Sequence, residues 1–116
     1  MDIIEDKAKS GDAEAQCRLG AKYYGAGNIL EAIWWYRKSA EQEYARAQYQ
    51  LALCYYYDVL QPVRDCYESP YVDREVTLTS AKHWCSLAIK NGIVDKYELM
   101  ESLNEYRYKT IYYKLV

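Results

Sequence analysis

The stretches GDAEAQCRLGAKYY, from Gly11, and EYARAQYQLALCYY, from Glu43, align without a gap at an offset of 32 residues. They share Ala13/Ala45, Ala15/Ala47, Gln16/Gln48, Leu19/Leu51, Tyr23/Tyr55 and Tyr24/Tyr56, and just upstream Ala8 falls over Ala40. A second pair, AIWWYRKSAEQE from Ala32 and AKHWCSLAIKNG from Ala81, matches at an offset of 49, with Ala32/Ala81, Trp35/Trp84, Ser39/Ala88 and Glu43/Gly92. The two offsets differ by 17 residues, so the second unit carries an insertion confined to one loop, 58–76.

Each unit has the period of two helices. Ala15, Gln16, Leu19, Gly20 and Tyr23 recur at three- and four-residue steps along one face, and Ala32, Trp35, Tyr36, Ser39 and Ala40 do the same. Asp12 and Asn28 stand where N-caps are expected, Asn28 with Glu31 three residues on, and Thr77 takes the place of Asn28 in the second unit. Gly25, Ala26 and Gly27 make the turn between the first two helices. The expected helices are 2–9, 12–24, 29–41, 44–57, 77–90 and a degenerate one at 94–107. Helix-turn-helix units repeating at thirty-odd residues bury their faces by stacking, which predicts an all-α protein built as a short right-handed α-solenoid.

The chain of 116 residues is one domain's worth, and 51% apolar with 28% charged residues is an ordinary globular composition. The expected division is 1–10 as an N-terminal capping helix, 11–42 as the first repeat, 43–91 as the second and 92–116 as a degenerate repeat with a C-terminal cap. A net charge of −2 with no basic block provides no electrostatic footprint for nucleic acid or an anionic membrane. The opening MDIIEDKAKSGD has neither the charge nor the apolar run of a targeting peptide, and no stretch approaches the length of a membrane span; a cytoplasmic location is expected. Cys17, Cys54, Cys66 and Cys85 form no C-x-x-C and no zinc spacing, so reduced thiols are expected, with Cys66 the one most open to reaction. The aromatic set is 15 Tyr and 3 Trp with no Phe, which suits half-buried surfaces and interfaces better than a dry core.

The segments AEAQCRLGAKYY, AIWWYRKSAEQ, ARAQYQLALCYY and AKHWCSLAIKNG resemble Sel1-like repeats, relatives of the tetratricopeptide repeat. The family pattern is Ala-x-Ala-Gln-x-x-Leu-Gly-x-x-Tyr in the first helix and Ala-x-x-Trp-x-x-x-Ala-Ala in the second, and the likeness covers roughly residues 8–92. The third unit departs from it, with Val94, Lys96, Tyr97 and Met100 where Ala, Ala, Gln and Leu would stand. The resemblance implies a non-enzymatic protein-binding module: an adaptor or scaffold, or an inhibitor of one partner, in bacteria sometimes an immunity protein that neutralises a toxin. It also implies that the first helix of each unit lines a concave groove. By register the groove residues are Glu14, Cys17, Ala21 and Tyr24; Arg46, Tyr49, Leu53, Tyr56 and Tyr57; and Asp95, Glu98, Ser102 and Glu105. Tyr67 and Tyr71, in an insertion broken by Pro62 and Pro70, would add contacts from the loop.

Catalysis finds little support. His83 is the single histidine, and Cys85 two residues on faces another side of the same helix. There is no P-loop, no G-x-S-x-G and no metal-ligand spacing, so no cofactor is expected; a groove-based enzyme acting on a small molecule or peptide is the lesser alternative.

Overall fold

In the computed structural model, which describes residues 3–60 and 73–106, every regular element is helical. The elements are α1 (Ile3–Lys9), α2 (Ala13–Gly25), α3 (Ile29–Ala40), α4 (Ala45–Cys54), a π-helical continuation of α4 (Tyr55–Leu60), α5 (Arg74–Lys90) and α6 (99–106). Each of the first four helices packs against the next in the chain, and the π segment packs against both α4 and α5. The residues expected to repeat as packing positions are buried: Ala15, Gln16, Leu19 and Gly20 in α2, and Ala47, Gln48, Leu51 and Ala52 in α4.

One contact shows why the two copies share a glutamine. Gln16 Nε2 donates to the Ala8 carbonyl at the end of α1, 3.1 Å away, and Gln48 Nε2 donates to the Ala40 carbonyl at the end of α3, at 3.2 Å. Each glutamine also accepts, through Oε1, from a side chain after the following helix: Gln42 Nε2 at 2.8 Å for Gln16 and Asn91 Nδ2 at 3.0 Å for Gln48. Gln42 and Asn91 correspond at the offset of 49, so one buried amide ties three helices in both units. A polar side chain is tolerated in these cores because its donor and acceptor are both satisfied.

A second contact explains a difference between the copies. A Cβ on Gly20 would lie 2.7 Å from Cδ1 of Tyr36, so glycine lets the α3 ring lie directly on α2. At the corresponding positions α4 has Ala52 and α5 has Cys85, both wholly buried. The smaller side chain on one helix leaves room for the methyl on the other.

The positions that open the units, Gly11, Glu43 and Gly92, all take left-handed backbone, with φ of 106°, 64° and 102°. They end the preceding helix by turning the chain where only glycine does so without strain. Glu43 adopts the same turn and accepts a hydrogen bond from Asn91 Nδ2 at 3.1 Å.

The structure corrects three boundaries and one cap. Helix α5 begins three residues before the expected Thr77, because Asp73 is its N-cap and accepts from the Val76 N–H at 3.1 Å; Thr77 instead bonds back to the Asp73 carbonyl. Asn28 stands at the N-cap of α3 without a side-chain hydrogen bond there. The helix expected at 44–57 changes to π geometry at Tyr55 and runs on to Leu60, shortening the insertion at its start. The helix expected from 94 begins at 99, and Leu99 and Leu103, not Met100, are its buried residues. Arg74 Nη1 donates to the Leu60 carbonyl at 2.7 Å and to Tyr106 Oη at 2.8 Å, while Tyr106 donates to the same carbonyl at 2.9 Å. This clasp joins the end of the π segment, the start of α5 and α6. Tyr67, Tyr71 and Cys66, together with the tail read as a C-terminal cap, lie outside the described residues.

Candidate functional site

Two open hollows run along α2 and α4 and share Tyr24 and Gln50. The larger, about 450 Å³, is lined by Glu14, Cys17, Arg18, Ala21, Tyr24 and Gly25 of α2, Tyr36 of α3, and Tyr44, Arg46 and Gln50 at and after the start of α4. The smaller, about 240 Å³, is lined by Tyr24, Gln50, Leu53, Cys54, Tyr57 and Tyr97. Together they form one groove.

All four α2 residues expected from the register, Glu14, Cys17, Ala21 and Tyr24, line it. On α4 the expectation is half met. Arg46, Leu53 and Tyr57 line the groove, but Gln50 stands where Tyr49 was expected. Tyr49 is buried in the core between α4, α5 and α6. The Tyr49 hydroxyl donates to Asp95 Oδ1 at 2.5 Å, and the Tyr97 ring stacks beside the Tyr49 ring with centroids 6.4 Å apart. Tyr56 is half-buried against the same core, its ring edge-on to Tyr57. The groove face of α4 is thus 46, 50, 53 and 57, a steady helical stripe, rather than the 46, 49, 53 and 56 of the α2 register.

The expected acidic stripe breaks up. Asp95 caps α6, accepting from the Leu99 N–H at 2.8 Å and the Met100 N–H at 3.1 Å, besides the Tyr49 hydroxyl. Burial alone would raise its carboxyl; the Tyr49 hydroxyl and the two amides outweigh that and hold it below the usual value. Glu98 lies before α6 with left-handed backbone, and Glu98 and Glu105 are exposed outside both hollows.

Arg46 and Arg18 are the cations of the larger hollow. Arg18 is taken by Glu14, 2.9 Å away one turn earlier, whereas Arg46 forms no ion pair among the described residues. Cys17 beneath them is a buried thiol: burial pushes it up to about 11, the nearby Arg46 pulling slightly the other way. Burial likewise raises Cys54 to about 12 and Cys85 to about 11, so these three are unreactive thiols at neutral pH. His83 is exposed while Cys85 is wholly buried, so the two present no nucleophile and base to one substrate.

Sequence reading missed Gln50, Tyr97 and Asp58. Asp58 lies on the π segment; the Tyr24 hydroxyl hydrogen-bonds its carboxylate, and its Oδ2 is shut off from water with no hydrogen-bond partner among the described residues. Burial raises this acid, the Tyr24 bond opposing it. Its signal in the sequence was its place one residue beyond Tyr57, at what was taken as the start of the loop.

The most telling feature of the groove is which tyrosines reach it. Ten tyrosines fall within the described residues, and the three that are exposed, Tyr24 at 41%, Tyr57 at 50% and Tyr97 at 64%, all line the smaller hollow. They come from α2, the π segment and the turn before α6.

Among the described residues no helix is long and apolar enough to cross a membrane. Of known proteins, a 56-residue part of the chain is 51% identical to an F-box protein of Arabidopsis thaliana, covering 47% of this chain and 16% of that relative. The chain thus spans less than a fifth of the length of the curated relative it matches. No family model and no solved structure matches.

Proposed function

We propose that the chain is a non-catalytic protein-binding module, a short α-solenoid of Sel1-like helix pairs that binds one protein partner through the groove along α2 and α4 and regulates or inhibits it. Among the described residues, the gathering of the three exposed tyrosines on one hollow beside Arg46, which has no ion-pair partner there, carries this reading. Tyrosine offers a large rigid contact area with a polar tip, and Tyr and Arg are the residues that most often dominate binding energy at protein interfaces. The groove is open along its length, which suits a partner's surface or an extended segment more than an enclosed small molecule. The likeness of half the chain to part of an F-box protein agrees with a binding role. The stacked-repeat reading rests on the matching glutamine contacts of the two units and on each helix packing against the next. A module of two full units has room for one interface of ordinary size, which favours action on one partner over assembly of several.

Quantified affinity capture from the native host tests the reading. Arg46→Glu and Tyr57→Ala are expected to lose most of the captured partner, while Trp34→Ala, at an exposed α3 position outside both hollows, retains it. Full capture by both folded groove variants would overturn it.

A further inference from the structure

We propose that the smaller hollow is a cation subsite, which takes the ammonium or guanidinium end of a Lys or Arg side chain of the protein partner. The proposal rests on the groove being the protein-binding face and adds what it selects.

Three phenol rings line this hollow, and aromatic faces carry the negative end of a quadrupole that attracts cations. Tyr97 stacks nearly parallel to Tyr49, 15° between planes, which turns its other face away from the core. Next to the Tyr24 ring lies the Asp58 carboxylate, with no neutralising cation among the described residues. Asp58 forms no ion pair among the described residues, its Oδ2 has no hydrogen-bond partner there, and its carboxylate pairs with the hydroxyl of Tyr24, itself a wall of the hollow. That bond makes the Tyr24 phenol a donor, so its oxygen and ring become more electron-rich toward whatever occupies the hollow. A half-buried carboxylate paired with one of the lining phenols raises the attraction for a positive group without lining the hollow itself.

The chemistry of the wall restricts the cation. Besides the rings the hollow presents the Gln50 amide, Leu53 and Cys54, and no three His, Cys, Asp or Glu side chains among the described residues are grouped as a metal ion requires. A volume of about 240 Å³ fits the end of a long side chain rather than a bare ion. The hollow shares Tyr24 and Gln50 with the larger one, where Arg46, with no ion-pair partner among the described residues, stands on α4 twelve residues before Asp58 of its π-helical continuation. At the helical rise the two charges lie within about 18 Å of each other. A ligand lying along the groove therefore meets a positive group at one end and an aromatic wall backed by a negative group at the other. A polypeptide segment with an acidic residue and, about five extended residues away, a basic one complements both ends.

The test uses the full chain and three neutral-backbone probes, N-acetyl-lysine methylamide, its uncharged counterpart N-acetyl-norleucine methylamide, and N-acetyl-glutamate methylamide, titrated by amide chemical shifts in NMR. The lysine probe is expected to shift the amides of Tyr57 and Tyr97 and to bind about 3–10-fold more tightly than the norleucine probe. Tyr97→Leu, at a position 64% exposed, and Asp58→Asn are each expected to reduce that preference at least about twofold with the fold intact by circular dichroism. Equal binding of lysine and norleucine probes as read at the Tyr57 and Tyr97 amides, tighter binding of the glutamate probe as read at those same amides, or a lysine preference unchanged in both variants overturns the proposal. If Arg46→Glu abolishes partner capture while the lysine probe shows no preference, the groove reading stands and the cation subsite falls.

Discussion

Gln48 is the residue at which the repeated sequence acquires a physical meaning. Its amide donates to the end of α3 and accepts from Asn91 beyond α5, and the side chain is wholly buried. Replacing it with Leu keeps the volume and removes both bonds. The Ala40 carbonyl keeps the Glu43 N–H at 3.1 Å and Asn91 is exposed, so neither partner is stranded in the core. Gln48→Leu is therefore expected to cost about 1–3 kcal/mol in a urea titration, the net value of the lost hydrogen bonds. An unchanged midpoint would mean that the buried amide does not hold the helices together. The two half-buried acids Asp58 and Asp95 behave oppositely with pH. Asp95 is held below its unfolded value, so it adds stability that is fully present above about pH 4 and is lost as the pH falls through its folded value. Asp58 is raised, so its favourable contribution is present below about pH 4 and lost as the pH rises through its folded value; at neutral pH its charge is a net cost. Thermal melts at pH 7 should show Asp58→Asn more stable than the natural chain and Asp95→Asn less stable, with both differences shrinking toward pH 3. The same sign for both variants at pH 7 would contradict the assignment. An acid that costs stability while backing an aromatic hollow is what a binding site retains.

Between elements, the two helix pairs use one packing scheme with exchanged sizes. Gly20 faces Tyr36 where Ala52 and Cys85 stand in the second pair. Gly20→Ala is expected to lose about 1–3 kcal/mol by overpacking, despite the better helix propensity of alanine. Adding Tyr36→Cys to it relieves the clash, so the double variant should lose less than the sum of the single ones; strict additivity in urea titrations would show that the positions do not touch. This scheme was legible beforehand because the packing residues recur, and so were α2, α3 and the groove face of α2. The groove face of α4 was not. Its register was carried over from α2, but Tyr49 finds its hydroxyl partner in Asp95, 46 residues on, and turns inward, leaving Gln50 to face the groove. The π segment from Tyr55 then carries the chain past Tyr57 to Asp58, whereas α2 ends at Gly25, the counterpart of Tyr57. The start of α6 was missed for a local reason: the Asp95 cap sets it, and the sequence period there had already faded. The register of α4 was decided by the contact of Tyr49 with Asp95, 46 residues on, of which local periodicity holds no record.

Across the whole molecule the buried side chains fall into three clusters in chain order. Ala8, Ala15, Leu19 and Trp35 form the first; Cys17, Ala32, Tyr36, Ala40, Ala47, Leu51 and Cys54 the second; and Tyr49, Leu60, Leu78, Leu99, Leu103 and their neighbours the third. Among the described residues the apolar side chains shared between clusters are half-buried, Tyr23 between the first two and Tyr55 and Trp84 between the last two. Under the proposed stacked-repeat architecture each unit is held by its neighbours and not by a common centre, so damage at one end stays near that end. Trp35→Ala removes the largest side chain of the first cluster and is expected to cost about 3–5 kcal/mol there. Amide exchange at native conditions should then quicken throughout α1 and α2, while the amides of α5 keep nearly their original protection. A single shared core would instead lower protection in α5 by the same free energy as in α1, and that result would overturn the stacked reading. The distinction matters for function, because Tyr24 comes from the first pair of helices while Tyr57 and Tyr97 come from beyond it. If opening is local, the α2 side of the groove loosens independently, and Trp35→Ala should weaken partner binding by the fraction of chains in which Tyr24 is out of place.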